Sequence, residues 1–116
     1  MTNRSKAKGT AAESAVVGYL NANGYPLAER RALAGALDKG DIAGVNGVAI
    51  EVKNCAKTEL GAWVDEANVE ARNAGDAAGV VWHKRRGKGS PGEWFVTMDG
   101  ATFTALLAVA HRAVGQ

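Results

Sequence analysis

Residues 79–83, Gly-Val-Val-Trp-His, form a short and almost wholly apolar run, the pattern of a strand covered on both faces. Such a strand needs structure packed above and below it, and the flanking sequence supplies helices of the right kind. Residues 10–23 carry Ala12, Val16, Val17 and Leu20 on one helical face, and Gly24 and Pro26 stop the helix. Residues 59–74 bring Leu60, Trp63, Val64, Ala67 and Ala71 into a second apolar stripe. Asp99 is placed to cap a third helix with the stripe Phe103, Leu106, Leu107 and Ala110. Residues 25–33, 41–44, 48–53 and 93–98 read as strands. A loop is expected over residues 34–40, and a mobile loop or hairpin tip over residues 85–92. The predicted order is αβββαββα, an α/β sandwich on one central mixed sheet. The chain has 116 residues, 47% of them hydrophobic and 22% charged, which suits one ordered domain and argues against extensive disorder.

Several classes are excluded on the same evidence. No apolar run approaches the roughly 20 residues of a membrane span, and the basic opening MTNRSKAKG leads into no apolar signal core, so a cytoplasmic location is expected. Cys55 is the sole cysteine and His83 and His111 the sole histidines, which argues against a disulfide framework or a structural zinc site. Neither a G-x-G-x-x-G nor a Walker pattern occurs, so no nucleotide cofactor is expected. Ser5, Ser14 and Ser90 lie in no nucleophile-elbow context.

The net charge of +2 is small, but its distribution is uneven. Arg4, Lys6 and Lys8 precede the first acid, in an arm over residues 1–8 expected to be flexible. Lys84, Arg85, Arg86 and Lys88 fall within five positions. Two basic patches on a near-neutral body suit a polyanion such as nucleic acid, and ordinary solvated loops equally well.

The chemistry concentrates in residues 40–53. In the strand 48–53 Val48, Ile50 and Val52 face one way, Glu51 and Lys53 the other. Asn46-Gly47 signals a hairpin with the preceding run. A three-residue loop with Gly47 left-handed pairs Ile42 with Ile50 and Asp41 with Glu51, keeping both isoleucines in the core. Two carboxylates then lie side by side with Lys53 one pleat away. Lys53 alone can neutralise them as a structural ion pair; a Mg²⁺ ion with hard oxygen ligands is the alternative. Glu13 falls within the apolar face of the first helix, where an isolated charge is costly. It either completes a capping box with Thr10 or joins the other carboxylates.

The series Lys8-Gly9-Thr10-Ala11-Ala12-Glu13, the helix end Leu20-Asn21-Ala22-Asn23-Gly24-Tyr25, then Gly40-Asp41-Ile42-Ala43-Gly44 and Ile50-Glu51-Val52-Lys53, resembles the archaeal-type Holliday junction resolvases of the PD-(D/E)xK nuclease superfamily, which include bacteriophage-encoded members. The likeness in order and spacing runs over roughly residues 6–100. It implies a restriction-endonuclease-like nuclease domain over residues 9–116, located in the host cytoplasm if phage-encoded. It implies that Asp41 and Glu51 hold Mg²⁺ (or Mn²⁺), that Lys53 orients or activates the attacking water and stabilises charge on the phosphate, and that Glu13 adds a further metal or water ligand. It implies a homodimer acting on branched double-stranded DNA, with Lys6, Lys8, Arg30, Arg31, Lys84, Arg85, Arg86 and Lys88 as the candidate DNA contacts. Gly40 stands where the family has proline. The resemblance implies a further polar catalytic residue on the second helix, where Glu66 and Glu70 both sit at the polar side or edge of the stripe; ordinary solvated charge is the simpler reading of both. Other nucleases of the superfamily, acting in repair, nicking or restriction, and a non-catalytic DNA-binding module are the competing readings.

Overall fold

The computed structural model describes residues 3–32 and 37–115. Helix α1 spans Asn3–Ala22, β1 Glu29–Arg30, β2 Ile42–Ala43, β3 Val48–Lys53, α2 Leu60–Ala74, β4 Ala78–His83, β5 Phe95–Thr97 and α3 Gly100–Ala113. A single 3-10 turn, Pro91–Glu93, precedes β5.

The expected apolar run is the middle strand of a mixed three-stranded sheet in the order β3-β4-β5. Strand β4 runs parallel to β3, with Glu51 opposite Val81 and Lys53 opposite His83, and antiparallel to β5. A parallel pair requires a crossover, which α2 provides. Alternation along the strands then divides the core. Ile50, Val52 and Val80 pack with Ala12, Val16 and Leu20 of α1, while Val81 packs with Trp63 and Ala67 of α2. At Gly79 the crossover helix comes so close that a Cβ would overlap the Ala67 backbone carbonyl, which only glycine permits.

Four expectations are corrected. Helix α1 begins at Asn3 rather than near Thr10, because Arg4, Lys6, Ala7 and Lys8 are good helix formers and Gly9 interrupts them at modest cost. From residue 3 onward the expected arm is therefore helical, and Thr10 lies mid-helix where no capping box can form. Second, the strand expected over residues 25–33 is confined to Glu29–Arg30; its predicted end at Leu33 and loop residues 34–36 lie outside the described residues. Third, the strands do not join into one sheet. Strands β1 and β2 form a separate antiparallel ribbon, closed where a Cβ on Gly44 would overlap the Leu27 carbonyl. The expected β2–β3 ladder is missing because the Asp41 carbonyl accepts from Arg31 N at 2.8 Å, and the Gly47 carbonyl accepts from Ala77 N and Ala78 N. Gly47 does take a positive φ, of 87°.

Fourth, the α3 stripe does not enter a core. The Asp99 cap forms as expected, accepting from Thr102 N at 2.8 Å. Yet among the described residues none of α3 is buried, and Phe103 is 52% exposed. The residues 84–93 connect β4 to β5 and are pinned from both ends, Trp82 Nε1 donating to the Pro91 carbonyl and Trp94 Nε1 to the Lys88 carbonyl. No helix among the described residues is long and apolar enough to cross a membrane.

Candidate metal centre

Strand β3 is an edge strand, and its exposed edge is where Asp41 attaches. Asp41 N donates to the Ile50 carbonyl at 2.9 Å, and one Asp41 carboxylate oxygen accepts from Val52 N at 2.8 Å. The side chain thus takes the place of the missing ladder carbonyl, and this fixes Asp41 beside Glu51. Gly40 enables the approach. Its φ is +99°, and a Cβ here would lie only 3.1 Å from the Ile50 carbonyl oxygen. Proline, locked near −65°, cannot adopt that conformation, which accounts for glycine at this position.

Glu51 and Lys53 share the β3 face that looks toward α2. Lys53 Nζ lies 2.8 Å from Glu66 Oε1 and 3.8 Å from Glu51 Oε1. Burial works against its charge, but the Glu66 contact and the charges of Glu51, Glu66 and Asp41 prevail, so its pKa is raised. Glu70, one turn further along α2, is 1% exposed and is among the most deeply buried side chains. Neither of its carboxylate oxygens, nor Oε2 of Glu51, meets a hydrogen-bond donor among the described residues. Burial and the neighbouring acids push both carboxyls up. In the metal-free protein the remedy open to this pair is a proton held between them.

Oxygens of Asp38, Glu51 and Glu70 lie within 4.8 Å of one another, so three acidic residues stand together that could bind a metal ion. The donor set is oxygen throughout, which suits Mg²⁺, Mn²⁺ or Ca²⁺ rather than zinc or copper.

A cleft of about 560 Å³ also borders Glu51. Its lining includes Glu13, Asp41, Glu51 and Lys53, together with Lys6 and Lys8 on the early turns of α1. All four expected catalytic residues and two of the expected DNA contacts therefore border one space. Glu13 is not engaged as a cap; it accepts from Arg30 Nε at 3.0 Å across to β1.

The remaining expected contacts are placed differently. Arg30 is held by Glu13. Arg31 turns inward, its guanidinium 3.4 Å from the Ile42 carbonyl and its Nε buried without a partner among the described residues. Lys84, Arg85, Arg86 and Lys88 lie on the β4–β5 connection and are not among the residues lining the cleft. Arg85 sits 4.9 Å over the Phe95 ring, and Lys88 Nζ is 3.8 Å from Glu93.

Sequence reasoning left Asp38 out of the site and took both Glu66 and Glu70 for solvated charge. The signal for Glu70 was present: it falls seven residues after Trp63 and three after Ala67, on the same apolar stripe.

Fold and site together define an α/β domain with a buried acidic cluster at the edge of a mixed sheet, bordered by one lysine. No family model, curated protein or solved structure matches the chain.

Proposed function

We propose that this protein is a metal-dependent DNA endonuclease of the PD-(D/E)xK type, cutting four-way junctions as the archaeal-type resolvases do, on a restriction-endonuclease-like core. The supporting observation is the convergence of Glu13 from α1, Asp41 from the approach to β2 and Glu51 and Lys53 from β3 on one cleft that also receives Lys6 and Lys8. Acids facing a polyanion weaken its binding unless a cation reverses their sign. That consideration favours a catalytic site over a simple DNA-binding surface.

Asp41 and Glu51 would hold Mg²⁺ or Mn²⁺ on the cleft side. Bound there, the ion supplies Lewis acidity for phosphodiester hydrolysis. Lys53 contributes a fixed positive charge toward the phosphoryl oxygens. With Glu66 at 2.8 Å and its pKa raised, the ammonium stays protonated near neutral pH, so its part is a clamp for charge rather than a base. Lys6 and Lys8 bind backbone phosphates and hold the strand in register with Asp41 and Glu51. Paired cuts across a junction require two such clefts at fixed spacing, hence a homodimer. The exposed Phe95, Phe103 and Leu107 on β5 and α3 offer apolar area for that contact.

The test is a gel assay with an end-labelled four-way junction and a matched linear duplex, with Mg²⁺ or EDTA. Paired symmetric nicks in the junction alone, abolished by EDTA, support the proposal. Equal cutting of both DNAs retains the nuclease and removes junction selectivity. Binding without cutting under Mg²⁺ and Mn²⁺ replaces the enzyme by a non-catalytic DNA-binding module.

A further inference from the structure

We propose that a second divalent cation binds behind the cleft, between Asp38, Glu51 and Glu70, with Glu51 shared between this rear position and the cleft. The inference rests on reading the cleft as a metal site and adds a position that the resemblance does not assign.

Glu70 carries the argument. A surface carboxylate needs no partner, but this one is 1% exposed, on the apolar stripe of α2, and neither of its oxygens meets a donor among the described residues. The same holds for Oε2 of Glu51, a residue 7% exposed. Lys53 does not resolve this: its ammonium lies against Glu66 and Oε1 of Glu51, and no cation among the described residues pairs with Glu70. Two buried carboxylates in contact, with three oxygens that no donor among the described residues reaches, are a costly arrangement unless a proton or a cation lies between them.

Asp38 completes the set from the loop that leads to Asp41. Its Oδ1 accepts from Gly40 N at 3.0 Å, and its carbonyl accepts from Asn73 Nδ2 at 2.8 Å, one turn beyond Glu70. Helix α2 thus fixes both Glu70 and the backbone that presents Asp38. Oxygens within 4.8 Å of one another can share an ion at the 2.0–2.6 Å distances of Mg²⁺, Mn²⁺ or Ca²⁺, drawing in slightly as it binds. Asp41, Glu13 and Lys53 border the cleft and are not in this group, whereas Asp38 and Glu70 are absent from the cleft lining. The two positions therefore meet only at Glu51.

The experiment is a titration of the full chain with Mn²⁺ at pH 7.5, counting bound ions per chain by electron paramagnetic resonance and by calorimetry. The variants are Glu70→Gln, Asp38→Asn and Asp41→Asn. Asp38→Asn changes an exposed loop side chain and guards against a folding defect in Glu70→Gln. Two ions on the native chain, falling to one in each variant, support the proposal. One ion, lost in Asp41→Asn and unaffected by Glu70→Gln and Asp38→Asn, overturns the rear position and leaves the cleft reading standing. One ion lost in Glu70→Gln and Asp38→Asn but kept in Asp41→Asn supports the rear position and removes the metal from the cleft. No bound Mn²⁺ overturns both.

Discussion

Glu70→Gln in the metal-free protein gives the sharpest check on the physical argument, because its sign depends on pH. The Glu70 carboxyl is pushed from 4.5 up to about 7, first by burial and then by the charges of Asp38, Glu66 and Asp41, with a contact to Glu51 offsetting part of the rise. A carboxyl whose pKa is higher in the folded state binds more protons folded than unfolded. Stability must then fall as pH rises between 4.5 and about 7, and the loss is complete above that window. At about 1.36 kcal/mol per pH unit, the interval amounts to about 3 kcal/mol. Glutamine keeps the shape, carries no charge and can donate to Glu51. In EDTA at pH 8 the variant should therefore be more stable than the native chain by about 1–3 kcal/mol, and at pH 4.5 the two should agree. With urea slopes of about 1–3 kcal/mol per molar, that is a midpoint displacement of about 1 M, easily read by circular dichroism. Saturating Mn²⁺ should close or reverse the gap, since an ion bound at 100 times its Kd adds about 2.7 kcal/mol to the native chain alone. Equal or lower stability of Glu70→Gln at pH 8 in EDTA would refute the claim that Glu70 is under electrostatic stress. The case for a cation beside it would then lose its basis.

Asp41→Asn retains an acceptor for Val52 N but removes the charge; cutting should fall by about 100-fold or more while junction binding by gel shift persists, and intact cutting would show the site assignment to be wrong. Replacing Arg85 and Arg86 by alanine should weaken DNA binding and reduce the slope of log K against log salt by about one to two; an unchanged slope would make this connection ordinary solvated charge. Gly79→Ala should cost about 1–3 kcal/mol in urea unfolding, because the new methyl group meets the Ala67 carbonyl. The same change should lower Mn²⁺ affinity as α2 shifts and takes Glu70 with it.

The parts of the fold that were legible are those whose signal is local and strong. The apolar run that became β4, the period of α2 and the Asp99 cap of α3 each needed only a few neighbouring residues. The start of α1 was misread because Thr10-x-x-Glu13 imitates a helix opening, whereas helix-forming residues before it extend the helix two turns further. The α3 stripe was legible as helix but not as core. Apolar spacing says which residues share a face, and only the rest of the chain decides whether anything covers that face. Strands β1 and β2, two residues each, are too short to leave a period at all.

The site follows the same division. Asp41, Glu51 and Lys53 could be placed together from strand alternation, although Asp41 reaches β3 through its carboxylate rather than through the expected ladder. Glu66 and Glu70 are misread for a different reason: a charged residue at the edge of a helical stripe is assigned to solvent by default, even where, as at Glu70, its spacing places it on the apolar side. The geometry that overrules the default is simple. Four residues of α-helix rise about 6 Å, and two residues of β-strand span about 6.6 Å. A helix returning from β3 across its own face therefore sets a carboxylate pair four apart against a strand pair two apart, in reversed order. Glu66 meets Lys53, and Glu70 meets Glu51. The first match is neutral and stays half-exposed; the second joins two acids and is buried. A fold that positions both matches with one register satisfies the lysine and leaves the acids either sharing a proton or open to a cation. That choice marks Glu51, shared by the cleft and the α2 face, as the residue on which the proposed metal chemistry depends.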